Sequence, residues 1–396
     1  MIKSIKAFLR IGGAQFILLA VALILNHRMG YITLIGLFSI LVGVNITLRS
    51  KMDKGAMTIL VYSILYVFFS YLNGFSYAIS AIVLFAVAPF FFYQFGNNIA
   101  ARYRKEDYII VLWLIIVLCY CLDIFYVTLS GIVETGQFIN PQRELFFSES
   151  GTQNKVNATV VGLSMNIGMI GLPMSIILKN NYMRVCSLLI FILSLITTFS
   201  LLNRTGIVVA LLCFTTVIAY KSRKNFKLLF LSLASIVFVI WLLFYFGIIN
   251  AELIELYRER NVDIYTMGAR TDRWRVALGY LFTHPFGWAD YGEKYYIHNM
   301  WLDVARISGI IPFLLLVYMA VDSFKKAFQL IKKYESPLSY MLLGLNVCFF
   351  ATCFVEPIYG GTPMLLYCML WGTSTGILKM KNHCCPVKVP DDYYKV

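Results

Sequence analysis

Twelve nearly charge-free apolar stretches constrain this chain more than any other feature. They fall at about 11–25, 31–48, 56–72, 75–93, 108–130, 157–178, 184–202, 205–220, 226–249, 306–321, 337–355 and 362–378. A helix needs about 20 such residues to span the hydrocarbon of a bilayer. Backbone groups in lipid must be satisfied within the segment, so the stretches are expected to be helices. No alternating strand pattern competes. Composition agrees: 60% of residues are hydrophobic and 14% are charged, against roughly 45–50% and about 25% in soluble domains. The expected fold is all-α, a polytopic transmembrane bundle of about 12 spans.

The basic run Met1 to Arg10 precedes the first apolar block. No small-residue cleavage site follows it, so that block is expected to remain as an anchor. Of the nine cysteines, seven lie in apolar blocks and read as packing residues. Cys384 and Cys385 form a pair in a basic tail, a weak metal or palmitoylation signal.

The net charge of +14 raises the question of nucleic acid. Its distribution answers it. With the N-terminus inside, alternate connectors carry Lys3, Lys6 and Arg10; Arg49, Lys51 and Lys54; Arg102, Arg104 and Lys105; Lys179 and Arg184; Lys221, Arg223, Lys224 and Lys227; Lys325, Lys326, Lys332 and Lys333; and Lys379, Lys381, Lys388 and Lys395. The short connectors on the other side hold only Arg28, Arg143, Lys155 and Arg204. That asymmetry is the positive-inside pattern, and most of the charge then faces an anionic cytoplasmic leaflet.

The expected organisation follows: membrane helices over 1–249, a large external loop over 250–305, membrane helices over 306–378 and a cytoplasmic tail over 379–396. A second long external segment runs from about Gly131 to Val156. The large loop opens with an amphipathic stretch, AELIELYRER, followed by GARTDRWRVALGYLF with helical periodicity. Pro285 and Gly287 then break the chain before it returns to the bilayer. No internal repeat of the transporter kind is visible.

Topology assigns a side to each chemically interesting residue. Arg204 opens the eighth span on the outer side, with Asn203 as the expected N-cap. A helix N-terminus with an arginine suits an anion such as a diphosphate; the competing reading is an arginine snorkelling to headgroups. Arg270 and Arg273 are three apart and share a helix face beside Trp274; the competing reading is a solvated face paired with Asp272. His298, followed by Asn299, lies where the large loop re-enters the membrane. Its imidazole could take a proton from a hydroxyl near neutral pH, although a lone histidine is more often structural. No histidine has a second ligand at metal spacing, so no metal site is expected. The chain has no P-loop, no DxD pair and no GxSxG. Asn26 to Gly30, the first outer connector, carries no acidic residue. Asp123 is the main carboxylate within a span, which is little buried charge for an ion-coupled transporter.

His298-Asn299, then nine residues, then Gly309 resembles the H-[NSQ]-x9-G-x-x-[GTY] pattern of the bacterial O-antigen polymerase and ligase superfamily. Pro312 stands where that pattern has Gly, Thr or Tyr. NRTG at 203–206 resembles the family's arginine at the outer start of a helix. ARTDRW at 269–274 and HPFGW at 284–288 resemble, in order, its large periplasmic loop, with Ala289 where a second Gly is usual. NKVNATVVGL at 154–163 resembles an asparagine-containing start of a middle helix. These motifs cover about residues 150–312.

The resemblance implies a GT-C-like fold and a metal-independent glycosyltransferase with no cofactor. Its donor and acceptor would be glycans on undecaprenyl diphosphate, in the bacterial cytoplasmic membrane, with the site on the outer face. Arg204 and Arg270 would stabilise the leaving diphosphate and His298 would act as base. Arg273, Asn299 and Trp274 would bind substrate, and Asp303 or Glu293 could orient the imidazole. A Wzy-type polymerase of O-antigen, capsule or exopolysaccharide is the first expectation, with membrane lipid and a chain-length regulator as candidate partners and no nucleic acid. Within the family the alternative is an O-antigen ligase acting on lipid A-core. A flippase for lipid-linked oligosaccharides is the alternative of another class, disfavoured by the large outer loop and the sparse charge within the helices.

Overall fold

A computed structural model describes residues 13–26, 52–74, 87–102, 105–140, 142–149, 152–223, 270–289, 297–355 and 362–383. The expected spans at 31–48 and 226–249, most of that at 75–93, the stretch at 251–260 and the cysteine pair lie outside these residues. The described chain is mainly helical: α1 (Ala14–Ile24), α2 (Lys54–Leu72), α3 (Ala88–Arg102), α4 (Glu106–Thr135), α5 (Ala158–Gly168), α6 (Gly171–Ile177), α7 (Asn181–Ser200), α8 (Arg204–Ser222), α9 (Arg270–Thr283), α10 (Met300–Ser308), α11 (Ile310–Tyr334), α12 (Pro337–Val355) and α13 (Thr362–His383). Five of them, α2, α4, α7, α8 and α12, are long and apolar enough to cross a membrane. Exposed apolar side chains such as Ile64 and Phe68 on α2 and Val185 and Leu189 on α7 give the bundle a lipid-compatible surface.

Local chemistry sets the helix ends. Asp53 caps α2 by accepting the Ala56 N–H at 2.8 Å, and Asn180 caps α7 through Tyr182 and Met183. Glu106 and Asp107 open α4, which stops at left-handed Gly136. Thus α4 continues to Thr135, past the predicted end near 130.

Three features depart from the sequence reading, the first being a turn at Met169 and Ile170 that splits the predicted span at 157–178 into α5 and α6. Residues 144–157 form an antiparallel hairpin, β1 (Glu144–Glu149) and β2 (Thr152–Asn157), with Glu144 opposite Asn157. Leu145 and Phe147 point inward and Phe146 outward, an alternation too short to stand out in a sequence of long apolar blocks. The tenth predicted span, at 306–321, is broken. Gly309, at φ 83°, separates α10 from α11, and a Cβ there would strike the Pro285 and Phe286 backbone. Arg306 therefore belongs to a short helix outside the long one.

The helices pack with consistent directions. α8 and α12 are antiparallel: the Cys213 thiol donates to the Gly344 carbonyl at 3.6 Å, Lys221 lies over the Tyr340 ring and Arg223 pairs with Glu335 at 3.4 Å. α3 and α13 are parallel and very close, because Gly96, Gly372 and Gly376 let backbones meet. At one end of the bundle Lys379 and Asn97 bond to Asp53 at 2.5 and 3.2 Å. Asn73, Phe286 and Ile307 meet at the other, where the Asn73 amide donates to both carbonyls at 2.6 and 3.1 Å.

Candidate functional site

His298 stands at this second end in the left-handed region, φ 57°. That conformation is strained for a non-glycine residue and persists where its surroundings impose it. Both neighbours are pinned. The Ile297 N–H donates to Asp303 Oδ1 at 3.0 Å, and the Ile297 carbonyl accepts Trp274 Nε1 at 3.0 Å. Asn299 caps α10 by accepting the Leu302 N–H at 3.1 Å. Its amide also donates to the Phe354 carbonyl, the end of α12, at 3.0 Å. The imidazole is half-buried and its Nδ1 is enclosed.

Asp303 is the electrostatic centre of this corner. It is 1% exposed and its Oδ1 lies 3.6 Å from Arg306 Nε. Burial pushes the carboxyl above its ordinary value; the Ile297 and Asn299 N–H groups, Arg306 and His298 pull the other way without overcoming it. Its Oδ2 is buried with no hydrogen-bond partner. Asp303 thus holds the backbone beside His298 through the Ile297 N–H, and Glu293 lies outside the described residues.

Trp274 ties α9 to this corner, and its ring packs against Phe354, 5.2 Å between centroids. Arg270, Arg273, Trp274 and Ala277 share one face of α9. Ala277 is buried against Ile297, Leu302 and Ala305, so this is the packed face. Arg270 and Arg273 are half-buried, whereas Asp272 and Arg275 are exposed. HPFGW acts as a clamp: the Ile310 N–H bonds to the Pro285 carbonyl and the Trp288 N–H to the Arg306 carbonyl, at 2.8 and 2.9 Å.

Arg204 is exposed at the first turn of α8. Asn203 occupies the N-cap position, as expected, but its side chain makes no cap bond. Its amide donates instead to the Ala158 carbonyl at 3.3 Å. The N-cap side chain therefore serves the α5 end rather than the first N–H groups of α8. Antiparallel pairing fixes the level of Arg204. It lies about 13 Å along α8 from Cys213, while Phe354 lies about 15 Å along α12 from Gly344, the partner of Cys213. Arg204 thus stands at the same end of the bundle as Phe354 and Asn299.

Trp274, on the face of α9 that carries Arg270 and Arg273, is linked to the His298 backbone through the Ile297 carbonyl and to Asn299 through Phe354; Arg204 reaches the same end on a separate helix. Sequence reasoning missed Arg306 and Phe354. Asp303 to Arg306 spacing on a helix was the available signal for the first, and none existed for the second. No family model matches the chain, and no curated protein matches it.

Proposed function

We propose that this chain is a membrane glycosyltransferase that extends glycans carried on undecaprenyl diphosphate, of the Wzy polymerase type. The observation that carries the reading is His298 locked into a left-handed conformation between Asp303-bound Ile297 and Asn299, at the end of the bundle shared with three candidate arginines. Strained backbone with enclosed polar groups is a hallmark of functional positions.

In this scheme an acceptor sugar hydroxyl attacks the anomeric carbon of the donor glycan. His298 takes the hydroxyl proton, the new C–O bond forms, and the anomeric C–O bond to the lipid diphosphate breaks. Arg204 and Arg270 hold the leaving diphosphate, with Arg273 beside them. Asn299 and Trp274 support the sugar-facing wall. Neither metal nor cofactor enters the steps. Such general-base help is typically worth about 10²–10⁴-fold. The His298 end of the bundle would face the outside of the cytoplasmic membrane, with both termini in the cytosol.

The test is polymer formation by purified protein in detergent with a lipid-linked repeat unit and no ion gradient. Wild-type protein should give a ladder. Arg204→Ala, Arg270→Ala and His298→Ala should each reduce it strongly at normal protein level. Unchanged ladders in all three would overturn the scheme. Transfer to lipid A-core without a ladder would instead identify a ligase.

A further inference from the structure

Asn166 on α5 and Ser194 and Thr198 on α7 form a polar cluster that the proposed reaction does not use. Their exposures are 0%, 0% and 1%. Both amide atoms of Asn166, Ser194 Oγ and Thr198 Oγ1 are buried without a hydrogen-bond partner. A buried polar group left unsatisfied costs about 1–3 kcal/mol, so several in one place call for a physical explanation.

Rotamer choice sharpens the point. Several buried hydroxyls elsewhere in the bundle bond back to the carbonyl four residues earlier, Ser222 to Ile218 at 2.6 Å, Thr352 to Cys348 at 2.6 Å and Thr373 to Met369 at 2.8 Å, whereas Ser63, Thr128, Ser187 and Ser374 are isolated buried hydroxyls without a partner. This is the usual way a helix absorbs a hydroxyl. Ser194 and Thr198 make no such bond. Their hydroxyls turn across the helix interface instead. Ser194 Oγ lies against Gly168 of α5. A Cβ built on Gly206 of α8 would lie 2.8 Å from Thr198 Oγ1 and 3.2 Å from Asn166 Oδ1. Oxygens from two helices thus converge on the flank of a third, within one helical turn of Arg204.

The chemistry of the cluster selects its ligand. A carboxamide and two hydroxyls offer both donors and acceptors and no charge. They cannot offset the desolvation of an ion in this interior. Ser194 lies hard against Gly168, and Thr198 and Asn166 against Gly206, which leaves no room for a sugar. A neutral molecule of the smallest size, with two donors and two acceptors, matches these groups.

We propose that Asn166, Ser194 and Thr198 form an internal hydration site, binding water between α5, α7 and α8 beneath the Arg204 turn. The turn is then held by a direct bond on one side, Asn203 to Ala158, and by water bridges on the other. This does not depend on the reaction proposed above.

Hydroxyl-radical footprinting of the intact protein in detergent tests it. Radicals generated in bulk solvent do not reach fully buried thioethers, whereas irradiation of bound water produces radicals in place. Met165 and Met169 flank Asn166 and are 1% and 0% exposed; Met319, also 0% exposed, is a control on α11. Oxidation of Met165 or Met169 should exceed that of Met319 several-fold in the wild type. Asn166→Leu, which keeps the size and removes the amide, should bring it down to the Met319 level. Equal oxidation of all three methionines in the wild type would overturn the proposal, whether or not the variant folds. Unchanged labelling in a folded Asn166→Leu protein would overturn it as well.

Discussion

Asp303 Oδ1 accepts the backbone N–H of Ile297 at 3.0 Å, so a buried carboxylate fixes the residue that precedes His298. The same oxygen faces Arg306 at 3.6 Å. Asp303→Ala removes both partners at once and leaves Arg306 buried and uncompensated. Loss of one member of a buried pair costs about 3–5 kcal/mol, which should appear as a large fall in Tm. Asp303→Asn keeps an acceptor for Ile297 and should lose less. A thermal melt of the two variants in detergent checks the ranking; equal losses would mean that the Ile297 bond contributes nothing.

His298 gives a cleaner separation of stability from chemistry. Its φ of 57° suits glycine and strains an L-residue. His298→Gly should therefore melt no lower than the wild type, while the glycan ladder falls by about 10²–10⁴-fold. His298→Ala should lose the same activity and keep the strain. Tm and polymer yield measured on the same preparations check this. A His298→Gly variant with full output would remove the imidazole from the reaction.

How far the sequence could be read depends on the length scale of each signal. Apolar blocks report helices over some 20 residues, and α2, α4, α7, α8 and α12 were legible for that reason. The break at Gly309 was not. Its cause is the close approach of Pro285 and Phe286, residues more than a helix length away in sequence. Among the hairpin's described side chains Leu145 and Phe147 are the buried ones, an alternation too short to register. At the candidate site, the spacing of Arg270, Arg273 and Trp274 correctly put them on one face of a helix. Which way that face turned depended on the Trp274 bond to Ile297, a tertiary contact with no local signature. Asn203 shows the converse: its residue type suits an N-cap, yet its side chain bonds to Ala158 instead.

At the opposite end of the bundle, Asp53 supplies a pH-dependent contribution. Burial raises its carboxyl, but the Lys379 ammonium, the Ala56 N–H and Tyr93 outweigh it and hold the group below its ordinary value. A carboxyl depressed in the folded state contributes stability above its unfolded value, near pH 4, and loses it as pH falls through the folded value. Wild-type Tm should therefore drop as pH falls from about 5 toward 3, and Asp53→Asn should show a shallower drop from a lower neutral-pH starting point. Parallel curves for the two proteins would show that Asp53 is not the group responsible.

Two glycine-to-alanine substitutions should act with opposite signs. Gly372 on α13 packs against the backbone of Tyr93 on α3, and a Cβ there would overlap the Tyr93 carbonyl. Backbone cannot swing aside as a flexible side chain can, so the two helices must separate. Overpacking of this kind costs about 1–3 kcal/mol, and the loss falls on a helix pair whose backbones are in contact. Gly279, in the interior of α9, has nothing within 4 Å of its built Cβ. There the methyl meets open space and only helix propensity changes, a gain of about 0.8–1 kcal/mol. Gly372→Ala should lower Tm and the yield of monodisperse protein on size exclusion, and Gly279→Ala should raise Tm slightly. If Gly372→Ala left Tm unchanged, α3 and α13 could not be as close as Gly96, Gly372 and Gly376 require. If Gly279→Ala lowered it, α9 would be packed against a surface on that side.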